Sequence, residues 1–185
     1  PDEVFDFLIG LPMRYLQFIP CVEVDPETER IADFSVTPKQ YGDFMCRIFD
    51  RWVEFGPQRL SIRDFDSILT YCVGGRHTIC TFDKQCSQYI VIEHAGDVYP
   101  CDFFVDPKWH LGNIFETPIE KLAASAKKKI FARKKQNLCN KCLVCRHLAV
   151  CRGGCMKDRA PFDKDDYGRE SYFCESYRQF FDYAL

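Results

Sequence analysis

No stretch of this 185-residue chain approaches the roughly 20 consecutive apolar side chains that a membrane-spanning helix needs. Neither sign of charge is in excess. A net charge of −2 gives no general reason to expect nucleic acid or an anionic membrane surface as a partner. The amino terminus, PDEVFDFLIG, opens on acidic residues instead of the basic flank of a secretory leader. It also lacks an initiator methionine, from which we expect the chain to be part of something longer. No internal repeat or low-complexity run is evident. What these absences leave is a globular protein, expected in the cytoplasm.

The chain does have a core. At 46% hydrophobic and 15% aromatic it can bury enough apolar surface to fold without cysteines standing in for packing. Its twelve cysteines therefore need another explanation. Secreted disulfide scaffolds are short and poor in core residues, whereas this chain has 17 Phe. Reduced thiols that hold a metal fit better, and their spacings support that choice.

Residues 3–9 read as the end of a helix, broken at Gly10 and Pro12. Residues 14–24 read as a buried strand. Thr37 is the expected N-cap of a long helix, with Pro38 in its first position and Gln40 completing a capping box. Tyr41, Phe44, Met45, Ile48, Phe49, Trp52 and Val53 then recur at helical spacing until Gly56-Pro57. RLSI reads as a short strand. Phe65, Ile68, Leu69 and Cys72 mark a second helix ending at Gly74-Gly75. Strand–helix–strand–helix order implies parallel strands covered by helices. Beyond residue 76, QYIVIEHAGDVYPCDFF reads as a hairpin turning across residues 94–97. TPIEKLAASAKKKIFARKK reads as one helix capped by Thr117 and Glu120, with Ile119, Leu122, Ala126 and Ile130 on its apolar face. The expected fold class is α+β. Residues 1–75 form a partial α/β unit, and residues 76–185 a cysteine-rich module with a hairpin and helices.

Two cysteine arrays stand out. One is Cys80-x5-Cys86-x14-Cys101, in which Cys101 closes the hairpin. The other is Cys142-x2-Cys145-x5-Cys151-x3-Cys155, followed by the distant Cys174. Short C-x2-C steps let successive thiolates face one ion or cluster. The Gly153-Gly154 pair allows close backbone approach and positive φ. Thiolate sets of this kind suit zinc or iron–sulfur clusters.

The phrases CLVCRHLAVCRGGC and the distant Cys174 resemble the SPASM domain, the carboxy-terminal extension of radical S-adenosylmethionine enzymes that modify peptides. LQFIPCVE, LGNIFETPIEKL, GGCMKDR and YFCESYRQFF resemble the anaerobic sulfatase-maturating enzymes in particular. The resemblance covers nearly the whole chain. It implies that residues 1–75 are the last strands and helices of a partial (β/α) barrel and that residues 76–185 hold two auxiliary [4Fe–4S] clusters. By position, Cys80, Cys86, Cys101 and Cys155 would bind the first cluster, and Cys142, Cys145, Cys151 and Cys174 the second. Cys139, one C-x2-C step before Cys142, departs from the pattern and is expected to be a spare exposed thiol.

The same resemblance makes Asp102 the catalytic base. The residues alone permit a plainer role, capping the turn after the hairpin. The implied reaction oxidises a Cys or Ser of a sulfatase to Cα-formylglycine, with an unfolded or nascent sulfatase polypeptide as substrate and an electron donor or acceptor protein as partner. A parent enzyme of this family also holds S-adenosylmethionine on a third [4Fe–4S] cluster, bound by a C-x3-C-x2-C motif. That motif is missing here, since Asp158 stands where the third cysteine would follow Cys151 and Cys155. This chain alone is therefore expected to be inactive. The alternatives are the SPASM domain of another peptide-modifying enzyme, or a zinc–thiolate module that recruits a protein without redox chemistry. Cys46 and Cys72 are expected in the core, and Cys21 in the core or lining a site. His147 is expected outside the ligand set, exposed or behind it. His77, His94 and His110 carry no pattern. Lys127 to Lys129 with Arg133 to Lys135 are expected to form a solvated basic face.

Overall fold

Thr37 starts the helix that organises the molecule. In the computed structural model, which describes residues 1–159 and 167–185, its hydroxyl accepts from Gln40 N while Gln40 Oε1 accepts from Thr37 N. Helix α2 (Pro38–Phe55) then runs to Gly56. It is preceded by α1 (Asp2–Gly10) and a two-residue strand β1 (Tyr15–Leu16), and followed by β2 (Ser61–Ile62) and α3 (Arg63–Gly74). β1 and β2 pair in parallel, Tyr15 opposite Ser61, as the strand–helix–strand order implied. The predicted strand over 14–24 is otherwise unpaired apart from a bridge from Val24 to Ile31, and Tyr15 is 84% exposed. Its apolar run resembles a strand, but beyond Leu16 its bonds with residues 32–36 are scattered, Val36 N to Cys21 O and Ala32 N to Glu23 O, each 3.0 Å, and do not make a ladder.

The core forms between α2 and the last helix, α8 (Cys174–Ala184). Met45, Ile48 and Trp52 meet Phe65, Phe173, Phe180 and Phe181, all buried. Phe65 and Phe180 stack at 5.4 Å, and Phe49 meets both edge-on. Fully burying one such ring contributes about 1.5–3 kcal/mol. Trp52 also donates its indole N–H to Leu60 O at 2.7 Å, so its polar edge is satisfied. The edges of the predicted apolar faces fall outside this core. Val53, Leu69 and Cys72 are exposed.

The hairpin is present, as β3 (Val91–Ile92) and β4 (Asp97–Tyr99) in antiparallel register. A third strand, β5 (Gly112–Asn113), pairs with β4 and was not foreseen, since two residues carry no periodicity. The helix expected over 117–135 is two helices, α4 (Ile119–Ala123) and α5 (Ala126–Lys134). Thr117 makes no cap. Instead Ser125 interrupts the run and its hydroxyl accepts from Lys128 N, starting α5 afresh. The break rotates the buried face. Ile130 is 59% exposed, while Lys128, Phe131, Ala132 and Lys135 turn inward. Two single-turn helices follow, α6 (Asn140–Leu143) and α7 (Leu148–Cys151). No helix among the described residues is long and apolar enough to cross a membrane.

Candidate metal centre

All twelve cysteines are free thiols, and eight of them line two separate cavities. The first cavity, about 320 Å³, is lined by Cys80, Cys86, Cys101 and Cys155. The second, about 370 Å³, is lined by Cys142, Cys145, Cys151 and Cys174. These are the two sets of four that the resemblance implies. Cys155 follows the second array in sequence yet faces the first cavity. The loop after α7 accomplishes this crossing. Gly153 and Gly154 both adopt positive φ, 76° and 66°. A Cβ on Gly153 would lie 2.7 Å from the Arg159 guanidinium, and one on Gly154 would lie 2.7 Å from the Tyr177 ring. Tyr177 is buried and lines both cavities.

The thiols surround a space in each cavity. Among the described residues, no three His, Cys, Asp or Glu side chains converge closely enough to hold a single metal ion. A four-iron cubane holds its thiolates farther apart than one ion does, so cavities of this size suit a polynuclear group. Burial pushes the thiols up: Cys155, Cys142 and Cys174 to about 12, with Cys80, Cys86, Cys101 and Cys151 also raised. Without a metal these side chains stay protonated at neutral pH, and binding must displace their protons.

Three buried cations surround the thiols, contrary to the solvated face expected for the lysine run. Lys128 is 4% exposed, Lys135 1% and Arg159 1%. Lys128 Nζ donates to Cys86 O and Pro100 O, each at 3.1 Å, and to Tyr89 O. Lys135 Nζ donates to Thr81 O at 2.7 Å and to Cys80 O. Arg159 donates to Gly153 O at 2.8 Å, Lys135 O at 2.7 Å, Asn137 O at 3.0 Å and Arg152 O at 2.6 Å. None of the three forms an ion pair with a carboxylate among the described residues. Burial lowers the pKa of each, and the nearby thiolates oppose that shift. Buried cations without counter-charge are costly. Thiolates at these positions would supply that charge. The donor set and its surroundings thus fit an anionic iron–sulfur group.

Asp102 opens a single 3₁₀ turn, Asp102–Phe104, after β4 and lines the first cavity. It makes no cap to that turn. Its Oδ1 accepts from Cys101 Sγ at 3.2 Å. Asp64, which the sequence did not single out, lines the same cavity from the first turn of α3. It is 6% exposed, its Oδ2 has no hydrogen-bond partner among the described residues, and burial pushes it up to about 6. The remaining residues lie elsewhere. Cys21 is exposed, with its carbonyl accepting from Val36 N at 3.0 Å, and Cys46 packs half-buried against the aromatic core. Cys139 is only partly exposed, with Sγ 3.5 Å from Cys142 Sγ. His147 lines the second cavity, but its Nε2 is 2.5 Å from Asp182 Oδ1.

This arrangement has relatives among known proteins. A SPASM profile, described as an iron–sulfur cluster-binding domain, matches residues 80–146. A serine-type anaerobic sulfatase-maturating enzyme of Bacteroides thetaiotaomicron is 34% identical over the whole of this chain and 48% of its own length. Over its whole length the chain is similar to anaerobic sulfatase-maturating enzymes, and it carries their iron–sulfur SPASM match. A cysteine-type sulfatase-maturating enzyme of Clostridium perfringens is likewise 34% identical, over the whole chain and 50% of its own length. The chain thus spans about half the length of the maturases it matches. The solved structure "native anSMEcpe with bound AdoMet" superposes with a TM-score of 0.85 at 32% identity, covering 99% of this chain and 50% of that one. The same protein with AdoMet and the Cp18Cys peptide superposes at 0.86 and 32%, covering 99% and 51%. The match is to the carboxy-terminal half of the maturase.

Proposed function

We propose that this chain is the part of a radical S-adenosylmethionine sulfatase maturase that holds two auxiliary [4Fe–4S] clusters and the catalytic base. Its parent oxidises a Cys or Ser of an unfolded sulfatase polypeptide to Cα-formylglycine. The observation that carries this reading is the sorting of eight thiols into two cavities, four in each, with Asp102 at the first. Residues 1–75 complete the parent's partial barrel, and residues 76–185 are the cluster-binding domain. The solved maturase bound to the Cp18Cys peptide supports a peptide substrate.

Asp102 is the residue that touches the reacting group. Transfer of a hydrogen atom from the substrate Cβ to the carbon radical that the parent generates from S-adenosylmethionine would leave a carbon radical beside sulfur or oxygen. Loss of the S–H or O–H proton makes that radical strongly reducing. Departure of one electron then forms the C=S or C=O bond, and a thioaldehyde hydrolyses to the aldehyde. Asp102 accepts the heteroatom proton. In the free thiol form its Oδ1 is occupied by Cys101 Sγ. A metal-bound Cys101 has lost its proton, which frees that oxygen for the substrate. When bound, the first cluster supplies a one-electron acceptor beside this carboxylate. The chain carries no C-x3-C-x2-C motif, so it does not turn over by itself.

The test is Asp102→Asn in the intact enzyme. S-adenosylmethionine cleavage persists, while formylglycine yield falls by about 10²–10⁴-fold, the range for loss of a general base. Undiminished yield removes Asp102 from this role.

A further inference from the structure

Helix α5 buries Lys128 and, one residue past its end, Lys135, with the fully buried Phe131 between them. Neither lines the first cavity, and both lie behind the segments that carry its thiols. Both ammonium groups are spent on backbone carbonyls of the segments that carry the first set of thiols. Lys128 joins the carbonyl of Cys86 to that of Pro100, which immediately precedes Cys101. Lys135 holds the carbonyls of Cys80 and Thr81. A backbone bond from Cys86 N to Ala132 O, 3.2 Å, fixes the same loop to the helix. A glutamine amide has two N–H donors, enough for both carbonyls that Lys135 holds and for two of the three that Lys128 holds, Tyr89 O being the third. Hydrogen bonding alone therefore does not require a charge at both positions.

The second cavity is built differently. Among its lining residues, Lys141 and Arg146 are exposed, and each is paired with a carboxylate, Glu170 and Asp182 respectively. Arg178 is also exposed. Arg159 touches the loop between the two cavities and is common to both. Three acids line the first cavity: Asp158 is paired with Lys157, Asp102 is exposed, and Asp64 is buried, with the half-buried Arg63 beside it opposing its charge. Lys128 faces thiols of the first set only, and Lys135 faces Cys80, Cys86 and Cys155 of that set and Cys151 of the second. The two buried cations, without a carboxylate partner among the described residues, thus favour the first site over the second.

We propose that Lys128 and Lys135 are positioning residues that act as fixed buried cations, holding the first site's reduction potential above that of the second. The inference rests on the cluster reading above. Adding an electron to a thiolate-bound cluster increases its negative charge. A cation held nearby at low dielectric stabilises the reduced form more than the oxidised one. An exposed, ion-paired cation is screened and does so weakly. The electron released at Asp102 therefore meets the more easily reduced of the two sites first.

The experiment uses this 185-residue chain loaded with iron and sulfide without oxygen, titrated electrochemically and followed by electron paramagnetic resonance. The wild type shows two midpoint potentials. The double variant Lys128→Gln/Lys135→Gln keeps amide donors for the carbonyls but not the charge. It shifts the higher potential to more negative values, and by more than it shifts the lower one. The pair Lys128→Arg/Lys135→Arg restores the higher value. Loss of iron from the Gln pair with retention in the Arg pair also supports a requirement for charge. Potentials that do not move, that move by the same amount, or iron lost equally from both pairs overturn the proposal. If the wild type takes up no iron and sulfide, the cluster reading itself fails before any variant is compared.

Discussion

The two halves of the interior are held together by opposite means. Around α2 and α8 the buried groups are aromatic rings, with one indole N–H satisfied by one carbonyl. Around the thiol cavities the buried groups include cysteines, two lysines, an arginine and acids, each costly to bury alone. Beside them lies a smaller apolar cluster of Phe104, Trp109, Phe131, Met156 and Tyr167 that packs against Cys86 and Cys101. The first region is stable because its parts dislike water. The second has groups of opposite potential charge that balance only once the thiols become thiolates. One region should therefore fold unaided and the other should depend on what it binds.

The largest effect should follow from removing the bound group. Structural metals contribute about 10 kcal/mol or more to small thiolate domains. We predict that hydrogen exchange quickens across residues 139–174 in metal-free protein, while α2 and the β3–β4 hairpin keep their protection. Equal protection with and without the clusters would erase the distinction between the regions.

Trp52→Ala tests the other half. Emptying the site of a side chain only 1% exposed costs about 3–5 kcal/mol in cores of this kind. Chemical unfolding should register the full loss, while the folded fraction binds as much iron per chain as before. A fall in iron stoichiometry in the folded fraction would mean that the regions are not separable.

A smaller effect belongs to Asp64. Its carboxyl is raised from 3.8 to about 6, so the folded state binds this proton more tightly than the unfolded state. The cost of burying its charge is absent below pH 4 and complete above pH 6. Stability from this group therefore falls as pH rises through that window, by about 3 kcal/mol at most. Asp64→Asn should flatten the wild-type slope between pH 4 and pH 6 in thermal unfolding of the metal-free chain. Parallel pH profiles for the two proteins would show that Asp64 is not the source.

Legibility in the sequence followed the same division. Helix α2 announced itself through Thr37-Pro38-x-Gln40 and an aromatic stripe, because caps and helical spacing are local properties. The two glycines at 153 and 154 were legible for the same reason. The thiol sets were legible only through resemblance, since nothing in the spacing says that Cys155 turns back to join Cys80, Cys86 and Cys101. Lys128 and Lys135 were misread. A lysine run normally marks a wet face, and the carbonyls that take these two inward lie 42 and 55 residues away. The break at Ser125 that rotates α5 was hidden inside a continuous helical pattern. Asp64 gave no signal beyond its place in a first helical turn, where acids are common.

The most direct measurement is the iron, acid-labile sulfide and zinc content of the chain prepared without oxygen, together with its visible absorption. Two four-iron clusters require about eight iron and eight sulfide per chain, with the broad absorption of thiolate-bound iron. About two zinc per chain and no sulfide would contradict the reading of both cavities.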